Sequence, residues 1–215
     1  MSNTLLKATN IAHSFEYQLF SDIEFELHAK ESIAILGRSG CGKSTLLHIF
    51  SSFIVPNSGE VHLLGHNLYG LNDEQVEEIR RDDLGIIFQA HYLFKGMKAI
   101  ENIEIATILS NETIEESLLE KLEIKELMEQ RIGELSGGQQ QRISIARVLS
   151  KKPKIIFADE PTGNLDKETG NLVMQVLLNY IKDNNASMVL VTHDESMAKL
   201  CDKRYRLENS QLEEF

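Results

Sequence analysis

The sequence lacks the features that mark several large classes of protein. It has only two cysteines, one of them inside a glycine-rich loop, which argues against a disulfide scaffold and favours a reducing compartment. No run of apolar residues approaches the roughly 18 that a membrane-spanning helix needs, so we expect no direct membrane span. Residues 1–10 carry no basic stretch followed by an apolar run, so we also expect no signal peptide.

Positive charge is scarce as well. The chain has 22 lysines and arginines against 33 aspartates and glutamates, which gives a formal net charge of −11. This balance argues against a nucleic-acid partner and against attachment to anionic lipids by charge alone. The one basic cluster, KKPK at residues 151–154, is typical of a solvated loop that caps a helix end. If the protein works at a membrane, another chain must supply the spans.

Strand and helix patterns alternate along the chain. Its 215 residues and 42% hydrophobic content predict one domain with a substantial core. Residues 4–36 are typical of strands, and the polar–apolar alternation over 22–27 predicts a half-exposed antiparallel strand. Residues 90–135 show helical periods with many acids on the other faces, which predicts a helical insert. Apolar stretches typical of buried strands occur at residues 32–36, 84–88, 154–160 and 187–192.

A phosphate-binding loop is the central motif of the sequence. Residues 37–44, GRSGCGKS, match G-x-x-x-x-G-K-[ST] and lie between an apolar strand and a stretch spaced for one helix face. The glycines let successive N–H groups turn toward phosphate oxygens, and the helix N-terminus adds partial positive charge. Lys43 would reach the β- and γ-phosphates, and the Ser44 hydroxyl would bind magnesium. The alternative, a glycine-rich turn with a chance lysine, is disfavoured by this strand–loop–helix context.

Polar residues end two of the apolar strands. Asp159 fits a carboxylate that holds a magnesium-bound water, and Glu160 fits a group that orients or deprotonates the attacking water. Adjacent strand residues point to opposite faces, so the two acids can serve different tasks. The alternative is that they open a turn before Pro161. His193 also ends a buried strand, where it is a candidate γ-phosphate sensor, although a lone histidine is usually structural.

Residues 135–139, LSGGQ, begin another helix. Two glycines at a helix start cost up to about 1 kcal/mol each against alanine. One interpretation is a simple helix cap. The other is a second anion-binding helix N-terminus, where Ser136 and bare backbone approach a ligand closely.

An aromatic residue precedes the phosphate loop. Phe15 lies 22 positions before Gly37. It could stack on an adenine ring, because flat apolar faces desolvate together. Residue type alone favours a phenylalanine in the core over this role.

Together these motifs resemble the nucleotide-binding subunit of ATP-binding-cassette (ABC) transporters. The resemblance covers nearly the whole chain, and LSGGQ discriminates most, since other phosphate-loop enzymes lack it. The motifs follow the order of that family: the phosphate loop, Gln89 after a strand, LSGGQ, the Asp159–Glu160 strand end and His193.

The resemblance implies a fold. We expect an α/β protein with a P-loop NTPase (RecA-like) core, an antiparallel β subdomain and an inserted helical subdomain at about residues 90–150. All of these would lie in a single nucleotide-binding domain spanning residues 1–215. One departure from the family concerns Lys30, which stands in a turn that often carries glycine, so this turn must form without glycine's freedom in φ.

The resemblance also implies ATP and Mg²⁺ as cofactors and assigns roles to individual residues. Glu160 would be the catalytic base, His193 the switch histidine and Phe15 the adenine-stacking aromatic. The expected catalytic residues are Glu160, His193 and Lys43. The expected magnesium ligands are Ser44, Gln89 and Asp159. The expected ATP-binding residues are Phe15, Gly37, Arg38, Ser39, Gly40, Cys41, Gly42, Lys43, Ser44, Thr45, Gln89, Ser136, Gly137, Gly138 and Gln139.

Partners follow from the same resemblance. LSGGQ would close on ATP held by the opposite subunit, which implies an ATP-dependent head-to-tail homodimer. A separate transmembrane permease would receive the motion, and we expect residues 89–105, especially His91 to Phe94, to line the groove for its cytoplasmic helix. The protein would then be cytoplasmic and peripheral, on the cytoplasmic face of the inner membrane.

Two segments resemble one part of the family. Residues 160–166 and 88–93 are similar to those of the lipoprotein-releasing, macrolide-export and cell-division ATPases, with the second segment closer to the lipoprotein-releasing type. The expected process is therefore lipoprotein release from the inner membrane or a related envelope export. A regulatory ATPase of a cell-division or peptidoglycan-hydrolase complex is the alternative.

Overall fold

The computed structural model describes residues 4–215, and ten strands and seven α-helices lie within this range. The strands are β1 (Thr4–Ser14), β2 (Gln18–His28), β3 (Ser32–Leu36), β4 (Ser58–Leu63), β5 (His66–Asn67), β6 (Leu84–Ile87), β7 (Ile155–Asp159), β8 (Ser187–Thr192), β9 (Lys203–Glu208) and β10 (Gln211–Glu214). The helices are α1 (Lys43–Phe50), α2 (Asp73–Asp82), α3 (Ala99–Ser110), α4 (Glu116–Lys121), α5 (Gly137–Leu149), α6 (Lys167–Asn184) and α7 (Glu195–Ala198).

The strands form two sheets of different character. One is antiparallel, in the order β2-β1-β4-β5. The other has the order β10-β9-β3-β8-β7-β6, and all its neighbours are parallel except β9 and β10. The α/β class and the antiparallel subdomain expected from the sequence are confirmed. Since parallel strands end at the same edge, the residues after β3, β6, β7 and β8 come together there.

The central strands owe their composition to burial on both faces. β3, β7 and β8 are buried at every position, which explains their continuous apolar runs. Side chains alternate between the faces of a strand, so β3 divides its residues between two cores. Ile33 and Ile35 pack with Phe25 of the antiparallel sheet, whereas Ala34 and Leu36 face the core that the helices share.

The helical segment is shorter than the sequence pattern indicates. Residues 90–98 form no helix, and α3, α4 and α5 occupy parts of residues 99–149, with 3-10 turns at Lys125–Leu127 and Ile132–Glu134. Buried residues of these helices join one core with Ile87 and Ala158 of the parallel sheet. The division of the chain into subdomains therefore stays a prediction.

Residues other than glycine take left-handed conformations at a turn between two strands and at the end of a helix. Lys30 adopts φ 66° between β2 and β3, so a lysine takes the left-handed conformation that glycine would adopt at less cost. α6 ends at Asn184, where Asn185 takes φ 55° as the C-cap. Asparagine tolerates this conformation, which ends the helix without glycine.

The basic cluster at residues 151–154 is tied to its surroundings. Lys151 is partly buried, and its Nζ donates to the carbonyl of Arg80 at 2.7 Å. Lys152 pairs with Glu112 at 3.1 Å, and Lys154 pairs with Asp83 at 2.8 Å. The expectation of a solvated loop is wrong for Lys151, since the packing of the cluster against α2 removes water from its ammonium.

This burial predicts a pH dependence of stability. Burial lowers the pKa of Lys151 to about 8 from its ordinary value of 10.5. Between these values the unfolded state binds more protons than the folded state, so the free energy of unfolding rises with pH. Relative to Lys151→Met, the wild type should gain about 1–2 kcal/mol between pH 8 and 10.5, less than the full shift implies because the side chain is partly exposed.

Urea unfolding of both proteins at several pH values measures this difference. Lys182→Met, on the exposed face of α6, is the matched control and should follow the wild type. Equal pH dependence of the wild type and Lys151→Met would show that the Lys151 ammonium is hydrated in the folded protein.

Candidate nucleotide-binding site

The glycine-rich loop connects β3 to α1 at the carboxyl edge of the parallel sheet. Gly40 has φ 80° and Gly42 has φ 102°, a region in which other residues are strained. Gly42 is the N-cap of α1, and its carbonyl accepts the first helical hydrogen bond, from Leu46, at 2.8 Å. A side chain at Gly42 would also meet the ring of Phe20 at 3.2 Å. The loop is thus held against β2 by a contact that glycine permits.

Lys43 is buried beneath this loop. Its Nζ donates to the carbonyls of Gly37 and Arg38, both at 2.9 Å. An ammonium has three N–H donors, so one remains for an oxygen of a ligand. The two carbonyls hold the charge at the loop, where a phosphate group would neutralise it.

Ser44 and Asp159 meet because the first turn of α1 lies beside the carboxyl end of β7. The Ser44 hydroxyl donates to Asp159 Oδ1 at 3.0 Å. Burial raises the pKa of the Asp159 carboxyl above its ordinary value, because a charge is poorly solvated there. A divalent cation would compensate that loss of solvation, and hydroxyl and carboxylate oxygens are the ligands that Mg²⁺ prefers. The pair therefore fits the magnesium site expected from the sequence.

Glu160 and His193 also meet, because β7 and β8 are adjacent. His193 Nδ1 lies 2.8 Å from Glu160 Oε1, and the Thr192 hydroxyl donates to Glu160 Oε2 at 3.2 Å. Glu160 adopts φ 46°, and its amide donates to the carbonyl of Val191 at 3.0 Å. A residue other than glycine with positive φ costs about 1–3 kcal/mol, so the end of β8 holds this carboxylate in a strained conformation.

Gln89 follows β6 at the same edge, but its side chain is exposed. Among the residues described, no hydrogen bond joins the Gln89 amide to Ser44 or to Asp159. The structure therefore brings together two of the three expected magnesium ligands and leaves the third apart.

LSGGQ forms the N-terminus of α5, where Ser136 and Gln139 form a capping box. The Ser136 hydroxyl accepts from the amide of Gln139 at 3.3 Å, and Gln139 Oε1 accepts from the amide of Ser136 at 2.9 Å. A side chain at Gly137 would meet no atom within 4 Å, so this helix N-terminus is open. Within residues 4–215, no hydrogen bond joins these residues to the glycine-rich loop, and one chain does not bring the two motifs together.

Phe15 stands at the mouth of the glycine-rich loop. Its side chain is 63% exposed, so it is not a core residue. It lines a pocket of about 180 Å³. The other lining residues are Tyr17, Leu19, Gly40, Gly42, Lys43, Ser44 and Thr45. Tyr17 and Leu19 were not predicted from the sequence as residues of this site. The only sequence signal for them is the short connection between β1 and β2, which keeps them close to Phe15.

The rest of the loop borders a second pocket. Arg38 and Cys41 line a space of about 520 Å³ together with His193 and Arg206. Ser39 is exposed at the tip of the loop, and the Cys41 amide donates to the carbonyl of Arg38 at 3.3 Å. The loop thus borders two pockets. Phe15 lines only the smaller one, together with Lys43 and Ser44.

Comparison with known proteins identifies the family. Residues 20–163 match the model of the ABC transporter family. The chain belongs to this family. The lipoprotein-releasing system ATP-binding protein LolD of Rickettsia bellii is 40% identical over 223 aligned positions, which cover 99% of each chain. The uncharacterized ABC transporter ATP-binding protein YbbA of Escherichia coli is 37% identical over 93% of this chain and 90% of its own length.

Solved ABC structures have the same fold. The ATP-binding cassette MJ0796, in a dimeric post-hydrolysis state bound to ADP and Pi, superposes with a TM-score of 0.88 at 30% identity. The match covers 97% of this chain and 98% of that one. The chain is thus an ABC ATPase, an ATP-binding subunit with the fold expected from its motifs. None of the helices within residues 4–215 is long and apolar enough to cross a bilayer.

The contact of Gly42 with Phe20 predicts a difference between two glycines of this ABC loop. Alanine at either position must adopt a left-handed φ, at a cost of about 1–2 kcal/mol. Gly40→Ala adds no collision, since its side chain would point into open space. Gly42→Ala adds overpacking against Phe20, and we expect it to lower the free energy of unfolding by about 1 kcal/mol more than Gly40→Ala.

Urea unfolding without nucleotide measures both losses and keeps ligand binding out of the comparison. Gly42→Ala with Phe20→Leu tests the cause, because the smaller side chain should reduce the extra loss. Equal losses at the two glycines would mean that Phe20 moves aside freely.

Proposed function

We propose that this chain hydrolyses Mg²⁺-ATP between two copies of itself joined head to tail, and that this cycle drives a separate transmembrane permease. The observation that carries the proposal is the gathering of Lys43, Ser44, Asp159, Glu160 and His193 at one sheet edge. Phosphoryl transfer to water depends on positioning and on charge neutralisation, and these residues supply groups for both.

The chemistry is divided among the residues of that edge. Lys43 and the loop amides hold the phosphates, and Ser44 and Asp159 hold Mg²⁺, which neutralises phosphate charge when bound. Gln89 would complete the magnesium ligands only if its exposed side chain turned inward. Glu160 aligns a water with the phosphorus and accepts its proton.

His193 positions the carboxylate that activates water. At 2.8 Å from Glu160 it fixes the direction of one carboxylate oxygen, and Thr192 fixes the other. The ring of His193 is exposed and borders the pocket that Gly37 and Arg38 also line, so it is free to contact a γ-phosphate held by the loop. This arrangement supports a switch that responds to the presence of that phosphate.

The open N-terminus of α5 supports the head-to-tail dimer. Its N–H groups and partial positive charge suit an anion, and the bare glycines at 137 and 138 let a phosphate approach closely. In one chain these groups do not contact the loop at 37–45, so a second copy would supply them. The dimeric state of MJ0796, at 30% identity, supports the same arrangement here.

An aromatic surface beside Gln89 supports docking of the permease. Phe88 packs edge-on against Tyr92 at 5.0 Å and against Phe53 at 6.1 Å between ring centroids. Tyr92 is 67% exposed, and Phe53 and Phe94 are exposed as well. Exposed aromatic clusters of this kind mark interaction sites.

Two polar side chains, one of them fully buried, fix the backbone beneath this surface. Arg147 donates to the carbonyls of His91 and Tyr92 at 3.1 and 2.8 Å. Asn102, fully buried, accepts from the amide of Phe94 at 2.8 Å. A segment braced in this way holds its exposed aromatic side chains in place, which suits docking of an apolar helix of the permease.

The specific process that we propose is lipoprotein release from the inner membrane, or a related envelope export, with the chain on the cytoplasmic face. The 40% identity to LolD of Rickettsia bellii over the full length of both chains supports it. No contact in the structure favours a regulatory ATPase of a cell-division complex.

Glu160→Gln tests the ATPase site and the dimer together. The amide keeps the shape of the carboxylate but cannot accept the proton of water, so ATP should stay bound between two copies. We expect a dimer in size-exclusion chromatography with Mg²⁺-ATP and a monomer without it. Gly137→Glu in the same background should bind ATP and remain monomeric, because a carboxylate at the α5 N-terminus repels phosphate.

Each remaining outcome has a definite meaning. If Glu160→Gln binds ATP but stays monomeric both alone and with its permease, the head-to-tail dimer is wrong. If the wild type fails to bind ATP at all, the role of residues 37–44 is wrong. Lys43→Ala, which removes the ammonium from the loop, is the control that shows how much ATP binds without this residue.

Tyr92→Glu tests the docking surface. A charge in the middle of an apolar interface must be desolvated on binding, so we expect at least about a tenfold loss of co-purification with a permease encoded in the same gene cluster. Leu109→Glu is the matched control, since Leu109 is equally exposed on α3 but lies outside the aromatic surface. Undiminished recovery of the permease with Tyr92→Glu would place its docking site elsewhere.

A further inference from the structure

We infer that Tyr17 is a second aromatic contact for the base of the bound nucleotide, beside Phe15. This inference rests on the proposed function, in which the loop at residues 37–45 holds ATP. It concerns a residue outside every motif identified in the sequence. Four structural observations carry it.

The first observation is the geometry of the turn that carries Tyr17. β1 ends at Ser14 and β2 begins at Gln18, so only three residues connect the two strands. The amide of Phe15 donates to the carbonyl of Tyr17 at 3.1 Å, which closes the turn. The turn therefore displays two aromatic side chains at its two ends, and they are 63% and 64% exposed.

The second observation is the position of this turn. β2 abuts the loop at Gly42, where an added side chain would lie 3.2 Å from Phe20 and 3.4 Å from Leu19. β2 is also tied to the turn before β10, since the amide of Ser21 donates to the carbonyl of Ser210 at 3.2 Å. The turn is held in place beside the phosphate loop from both sides.

The third observation is the pocket that the turn borders. Tyr17 and Phe15 both line the pocket of about 180 Å³ that also contains Lys43 and Ser44. Tyr17 lines an adjoining pocket of about 240 Å³ as well, with Gly40. If the phosphates lie at Lys43 and Ser44, a base attached to them through the ribose reaches the aromatic end of this pocket.

The fourth observation is a difference between the two aromatic rings. Phe15 is braced by His13, a buried residue whose ring meets it edge-on at 4.9 Å. Within the described part of the chain, Tyr17 has no ring contact and no side-chain hydrogen bond. Its ring gives up no ring contact and no hydrogen bond when it moves onto a base, and its hydroxyl can then pair with a polar edge of the base or ribose.

These observations divide the two roles. Phe15 is a fixed face on which a base stacks, and Tyr17 closes over the base from the other end of the turn. Stacking alone does not choose among bases, because each has a flat π face. The inference is therefore that Tyr17 adds affinity for the nucleoside part of ATP and none for the triphosphate.

Fluorescence gives a direct test, since the chain has no tryptophan. Tyr17→Trp places a single reporter in the turn, and its emission should change and saturate with Mg²⁺-ATP but not with Mg²⁺-tripolyphosphate. Leu109→Trp, equally exposed on α3, is the control and should show no change with either. If the emission of Tyr17→Trp does not change at saturating Mg²⁺-ATP, the inference is overturned.

Binding affinity gives the second test. Tyr17→Ala should raise the Kd for ATP about fivefold or more, at the low end of what the loss of a base-stacking aromatic costs, and leave the Kd for tripolyphosphate unchanged. Phe15→Ala is the reference, and Tyr17→Phe separates the ring from the hydroxyl. Wild-type ATP affinity in Tyr17→Ala, with weakened affinity in Phe15→Ala, would overturn the role of Tyr17 alone. Absence of ATP and tripolyphosphate binding in the wild type would instead overturn the proposed function.

Discussion

The pairing of four parallel strands is the constraint on which the rest of the structure depends. β3, β8, β7 and β6 end at one edge, so residues far apart in the chain become neighbours there. The hydrogen bond of Ser44 with Asp159 spans 115 positions, and the contact of His193 with Glu160 spans 33. Neither contact depends on local sequence. Both follow from strand order, and both are lost together if the order changes.

Charged side chains at this edge make hydrogen bonds within the chain, and a bound ligand could replace these hydrogen bonds. Lys43 uses two carbonyls of its own loop, and Asp159 accepts from Ser44 while burial penalises its charge. These are modest substitutes, because an ammonium prefers an anion and a buried carboxylate prefers a cation. An Mg²⁺-triphosphate supplies both charges at once. Binding of such a ligand would therefore compensate both charges better than the chain does alone.

Local motifs were predictable from the sequence, and contacts between distant segments were not. The phosphate loop, the strand ends at Asp159 and His193 and the helix start at Ser136 depend on short patterns with their own physical meaning. Tyr17 acquires a place beside the loop only because β2 docks against Gly42. The burial of Lys151 similarly depends on α2, about 70 positions earlier. The helical insert was predicted to begin at residue 90, but residues 90–98 form no helix, and Arg147 and Asn102 bind the backbone of this segment.

The strain at Glu160 connects the chemistry to the rest of the fold. Its positive φ persists because the end of β8 holds its amide and both carboxylate oxygens through Val191, Thr192 and His193. A movement of His193 would therefore affect the backbone of Glu160 as well as its side chain. β8 continues into α7, where Glu195 pairs with Arg206 of β9 at 3.6 Å. In the proposed cycle His193 would contact the phosphate, so loss of that phosphate would act on the strained carboxylate of Glu160 and on α7, which begins two residues after His193.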